Sequence, residues 1–226
     1  MERTAMSSEL GYTLQFLRDL RMNNTREWFT ANKKAYDKAR GAFTTLLEDL
    51  IARFAVVDDF SGLTPASIMY RMNRDVRFSN DKSPYKLNMS AVFGAQGRKT
   101  EVGRSYYFSV EPDETLVASG VYFPSSAHLK RIREGIAENS APLRKIIKAK
   151  RFTEAFGKME GEQLKSAPKG YDKTHPEIDL LRYKQFMATR YFPDEAVTAD
   201  DFGDQILDAM AAARPFAGYF AAILEK

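Results

Sequence analysis

Cysteine is absent from this chain of 226 residues, and its absence removes a disulfide framework, a thiol nucleophile and any thiolate metal site. Histidine is scarce as well: a zinc centre would need both His128 and His175 together with carboxylates, so no metal is expected. No run approaches the roughly 18 apolar residues of a membrane span, and residues 1–6 are too polar for a signal peptide. These features read as a soluble, cytoplasmic protein. Neither sign of charge dominates, with 34 basic residues against 30 acidic ones and a net charge of +4. Such a balance solvates a surface and gives no nucleic-acid signature, for which basic residues would gather on one face.

Nucleotide loops are missing too. Gly97-Arg98-Lys99-Thr100 lacks the glycine before the lysine that a phosphate loop requires, and no dinucleotide fingerprint occurs, so no cofactor is expected. Ser79-Asn80-Asp81-Lys82 has the serine-to-lysine spacing of penicillin-interacting enzymes but lacks their companion motifs. No internal repeat, low-complexity segment or long linker divides the chain, which reads as one domain over residues 1–226 with 1–11 as a loose tail.

What is present falls into two kinds of pattern. Leu14, Leu17 and Leu20, with Phe16 beside them, give a short amphipathic helix ending near residue 22. Asn24, with Glu27 three residues on, reads as the capping box of a long helix over 24–55. From Ala66 the apolar period becomes two, predicting a strand to Asp75 and further strands over 87–94, 104–111 and 116–123, with 185–192 as an extra, edge strand. Short connections favour an antiparallel meander. Helices resume after Ser125 and Ser140, and Thr198 caps a C-terminal helix, with Pro215 opening a final piece. The fold class is therefore α+β: a sheet of four or five antiparallel strands within 66–123, packed against a long N-terminal helix and the C-terminal helices. Its buried face should carry Ile68, Tyr70, Met72, Phe108 and Val110.

Along the end of the first predicted strand and the loop after it lies the densest group of side chains able to hold a charged ligand: Arg71, Arg74, Arg77, Lys82 and Lys86 around Asp75 and Asp81, with Tyr85 among them. Arginine offers a planar fork that receives carboxylate or phosphate bidentately, and lysine adds a point charge. Two acids cannot match five bases, so the surplus should attract an anion or recruit acids from elsewhere. The alternatives are an ion-pair network that only pins the loop to the sheet, and a protein or nucleic-acid interaction module.

Several stretches resemble the uncharacterised family known as domain of unknown function 2461. They are Asn24-x-Arg26-Glu27-Trp28-Phe29, Arg74-Asp75-x-Arg77-Phe78-Ser79-x-Asp81-Lys82-x-Pro84-Tyr85-Lys86, Tyr106-Tyr107-Phe108, Gly120-x-Tyr122-x-Pro124, Pro168-Lys169-Gly170-Tyr171 and His175-Pro176. The resemblance spans nearly the whole chain and carries no catalytic residues with it. It places weight on the start of the long helix and on the basic loop, which implies that the two meet in space. Asn24, Trp28, Lys169 and His175 are accordingly candidates to complete the site, although Trp28 reads first as a core anchor at the helix start and only then as a stacking platform, and His175 reads as well as a helix-start residue. Asp75, Asp81, Tyr85 and His175 are the candidates for acid–base work. The sequence thus predicts a small-anion site where the basic loop meets the helix start, in a protein that is an enzyme or a binding protein. It leaves the reaction open.

Overall fold

The structure, a computed structural model, describes the backbone of residues 2–225 and the side chains of residues 9–225. In chain order the helices and strands are α1 (Glu2–Met22), α2 (Arg26–Ala31), α3 (Lys33–Arg53), α4 (Pro65–Ile68), β1 (Met89–Gly94), β2 (Ser105–Val110), β3 (Thr115–Val121), α5 (Ser126–Glu138), α6 (Ala141–Lys148), α7 (Lys150–Phe156), α8 (Ile178–Leu181), β4 (Phe186–Phe192), α9 (Asp194–Val197) and α10 (Phe202–Leu224). The fold is α+β. Its single four-stranded sheet is antiparallel throughout, in the order β1-β2-β3-β4.

The register shows why these strands form. Met89, Ala91 and Phe93 stand opposite Val110, Phe108 and Tyr106, and Tyr106 and Phe108 stand opposite Ser119 and Val117. All eight share one face by the period of two, and all are buried. Rings from three helical segments cover them. Phe43 of α3 lies 5.8 Å from Phe108, Phe202 of α10 lies 6.1 Å from Phe108, and Phe54, just past α3, stacks on Phe93 at 4.9 Å. Each ring taken fully out of water contributes roughly 2–3 kcal/mol.

Several expectations are corrected. The segment 66–75 is not a strand. Thr64 and Ser67 form a capping box with Pro65 in the first helical position, which makes 65–68 a turn of helix. Beyond it only isolated bridges tie Met69 to Ala91 and Asn73 to Tyr85. The fourth strand comes instead from 186–192, the outer strand next to β3, so the sheet is not confined to 66–123. The long helix is broken: Thr25, not Asn24, caps α2, and Asn32 folds its amide back onto Trp28 O at 2.9 Å before α3 begins. Residues 2–11 are helical, with Leu10 buried, and are no loose tail; Met1 lies outside the described residues.

Pro215 lies inside α10 and does not open a separate piece. Met210, Ala213, Phe216, Ala217 and Phe220 are buried on both sides of it. That packing outweighs the lost backbone hydrogen bond. The same helix is long and apolar enough to cross a membrane by length and composition, yet 56% of its apolar window is buried inside the fold.

Candidate functional site

The loop that carries the basic cluster is built as an irregular hairpin. Tyr70 N–H donates to Ser90 O at 2.8 Å, Lys86 N–H to Met72 O at 2.8 Å and Arg74 N–H to Pro84 O at 2.9 Å. Asn24 joins it to the helices: its side-chain amide donates to Tyr85 O at 3.0 Å and accepts from Tyr85 N–H at 3.2 Å. The Tyr85 ring, buried, stacks on Phe29 of α2 at 3.9 Å and 15°. The basic loop and the helix start therefore do meet, through an amide pair and a ring stack.

Within the loop the charges sort themselves into two groups. Arg74 pairs with Asp81 and also donates to Ser83 O at 3.2 Å. The Ser83 hydroxyl and N–H bind Asp81 from the other side, at 2.6 and 2.9 Å, and together with Arg74 hold its carboxyl far below the usual range. Arg77 forks onto Asp75 at 2.7–3.3 Å, lowering that carboxyl in turn, on a loop where the Arg77 side chain is 77% exposed. Lys82 donates to Val76 O at 3.0 Å. Arg71 and Lys86 remain, and among the described residues neither has a carboxylate within ion-pair distance.

Lys86 is the one of these that reaches a cavity. Its ammonium lies over the Tyr70 ring, 4.9 Å from the centroid. Burial pushes it below the ordinary lysine value, and the neighbouring Arg71 charge adds to that shift. The cavity is a cleft of about 1180 Å³, lined by Asn24, Tyr70, Arg74, Asp81, Ser83, Tyr85 and Lys86 on the loop side. Its floor is the sheet face turned away from Phe43 and Phe108, and loop residues with parts of α5 and α10 complete the wall. Val92, Tyr107, Ala118 and Thr189 stand in one row across that face, with Leu116 and Tyr191 in the next. Asn88 donates to the Tyr107 hydroxyl at 3.4 Å, a long contact. Burial raises the Tyr70 hydroxyl, with Tyr107 adding and Arg98 opposing. At one border Glu111, also raised by burial and by Glu114, lines the same cleft.

Other expected members lie elsewhere. Trp28 is half-buried against Phe16, with ring centroids 6.0 Å apart, and serves the helical core. Lys169 is exposed and outside the cleft. His175 accepts from Glu177 N–H at 3.1 Å, a local helix-start contact beside the edge of Tyr171. Arg71, Asp75, Arg77 and Lys82 do not line the cleft. Conversely, Asn88, Tyr107 and Glu111 belong to it without having been singled out, and Tyr70, expected on the buried face, is half-buried and lines the cleft instead, because 66–75 is no strand with a core-facing side. For Tyr107 the signal was present: in Ser105-Tyr106-Tyr107-Phe108-Ser109, alternation sends Tyr107 to the face opposite Tyr106 and Phe108. Among the described residues, no three His, Cys, Asp or Glu side chains gather to hold a metal.

Comparison with known proteins gives one positive result. A family model described as conserved hypothetical protein (DUF2461) matches residues 12–219. No curated protein and no solved structure matches the chain.

Proposed function

The chain belongs to the DUF2461 family, and from its cleft we propose that it binds a small anionic ligand through a phosphate or carboxylate group, with Lys86 as the receiving charge. One observation carries this reading. Lys86 is a half-buried ammonium in a cleft, with the Tyr70 ring against it, the Arg71 charge behind it outside the cleft, and among the described residues no carboxylate within ion-pair distance. A charge withdrawn from water needs a counter-charge or hydrogen bonds; the Tyr70 face supplies part of that, and a bound anion would supply the rest. The Asn88 amide and the Ser83 and Tyr107 hydroxyls line the same cleft as further hydrogen-bonding groups. Arg74 and Arg77, already matched by Asp81 and Asp75, act as positioning residues for the loop, which is the part of the cluster that fits the scaffold reading. On this reading the protein works in solution in the cytoplasm, with the apolar α10 used by the core.

The test is thermal melting against phosphate and malonate at fixed ionic strength. Binding to the folded state alone raises the midpoint by mass action, by about 2.7 kcal/mol of stability at a hundred times the dissociation constant. Lys86→Gln should abolish the rise and Arg77→Ala should leave it. A rise that survives undiminished in Lys86→Gln, or none in the native chain, refutes the reading.

A further inference from the structure

The cleft is larger than an anion requires. At about 1180 Å³ it exceeds the roughly 300–1,000 Å³ of sites that enclose drug-sized molecules, so an inorganic ion on Lys86 would leave most of it to water. Part of the rest of the wall is aromatic. Tyr70, Tyr107, Tyr122, Phe123 and Tyr191 line it, and three of these are unusually bare, with Tyr122, Phe123 and Tyr191 exposed by 68, 67 and 60%. Bare rings grouped around one cavity are the kind of apolar surface that marks a binding groove.

Tyr107 is the best placed of them. Its cross-strand neighbours on the same face are Val92 and Ala118, and along its own strand Ser105 and Ser109 flank it. All four are smaller than the ring, so one side of it faces the cleft. Asn88, two residues from Lys86, reaches its hydroxyl, which puts the ring on the side of the cleft where the ammonium lies. At the far end of β3, Tyr122 and Phe123 meet edge-on at 4.4 Å, and Phe123 holds a left-handed φ of 45°. That conformation is costly for a bulky residue and recurs at ligand clamps.

We propose that the ligand of this cleft carries a planar ring beside its acidic group, the acid seated on Lys86 and the ring stacked on Tyr107: an aryl or nucleobase-type phosphate or carboxylate. The proposal rests on the anion site above and adds the ring. Stacking on an aromatic side chain tolerates any flat π-system, so the shared chemistry is the flat ring, and its source is for the experiment to separate.

The experiment is titration calorimetry of the full chain at fixed ionic strength with methyl phosphate, phenyl phosphate and adenosine monophosphate. Phenyl phosphate should bind at least about tenfold more tightly than methyl phosphate. Tyr107→Leu should bring that ratio close to one and Tyr107→Phe should keep it, with far-ultraviolet circular dichroism confirming that both variants are folded. Lys86→Gln should weaken both ligands by a similar factor. Tighter binding of adenosine monophosphate than of phenyl phosphate assigns a nucleobase, and the reverse order assigns a benzenoid ring. Equal affinity for methyl and phenyl phosphate overturns the ring and leaves the anion site standing. A phenyl preference that survives Tyr107→Leu overturns the stacking assignment. Binding that ignores Lys86→Gln, or no binding of any probe, overturns the anion site and the ring with it.

Discussion

Asp58 is a carboxylate with no exposed side-chain surface, and it receives Arg104 at 2.6 and 2.8 Å and the Tyr106 hydroxyl at 2.9 Å. Burial pushes its pKa up, but those hydrogen bonds, with one from Asp59 N–H, hold it below the ordinary value. A depressed folded pKa means that the unfolded chain binds the proton more tightly. The stabilisation is therefore present above about pH 4 and is lost as pH falls through the lower, folded value. Asp58→Asn should cost about 3 kcal/mol by denaturant unfolding at pH 7, since it leaves Arg104 without its counter-charge. The variant should also lose less stability than the native chain between pH 5 and 2, a difference that acid titration of the unfolding midpoint would reveal. Lys86 titrates in the opposite sense. Because its ammonium sits below the ordinary lysine value, the anion-induced rise in melting temperature should fade at a lower pH than the roughly 10.4 of free lysine. A scan from pH 7 to 10.5 measures this. At this scale the sequence was legible where partners are near in the chain: Asp75 with Arg77 and Asp81 with Arg74 could be inferred from adjacency. Asp58 could not, because Arg104 and Tyr106 lie 46 and 48 residues away.

Among the elements, the strands that alternate cleanly were readable and those set by one distant contact were not. β1 and β2 carry their large core side chains at every second position, Met89, Ala91 and Phe93 on one and Tyr106, Phe108 and Val110 on the other; both fall within the spans expected of them, and β3 begins one residue before its own. The expected strand 66–75 shows the same alternation, yet the proline and capping box at its start commit those residues to a helical turn, a local signal that overrides the period. β4 is held to β3 through a position that composition alone does not advertise. Gly120 has φ 129°, and a Cβ there would lie 2.0 Å from Phe186 O and 2.9 Å from the Phe216 ring. Gly120→Ala should thus push β4 and α10 away from β3 and cost roughly 2–3 kcal/mol, by left-handed strain and overpacking together. Chemical denaturation measures the loss; a change below 0.5 kcal/mol in order of magnitude would mean that the contact relaxes freely. Asn24 is a second junction. Asn24→Ala removes both hydrogen bonds to Tyr85 and should cost about 1–2 kcal/mol, with a weaker anion response because the cleft's loop wall loses its tie to α2.

For the whole molecule, buried residues from α1 at one end of the chain and α10 at the other belong to one continuous cluster. Unfolding should accordingly register as a single transition, with near-ultraviolet and far-ultraviolet signals coinciding; two separated midpoints would show that the halves are independent. The single-sheet, helix-covered plan was legible from the change of period and the short connections, and so was the meeting of helix start and basic loop. The cleft itself was not: alternation sends Tyr107 to the face opposite Phe108, but whether that face stays open depends on what the helices leave uncovered. That division has an evolutionary consequence. Along each strand, successive side chains answer to different demands: those toward Phe43 and Phe202 keep the protein folded, and those toward the cleft, such as the half-buried Val92 and Thr189, carry less of that burden. On the proposed reading, replacing the second set one residue at a time would remodel the floor of the cleft at small risk to folding, so descendants of this chain could exchange one ligand for another while the helical side stays as it is.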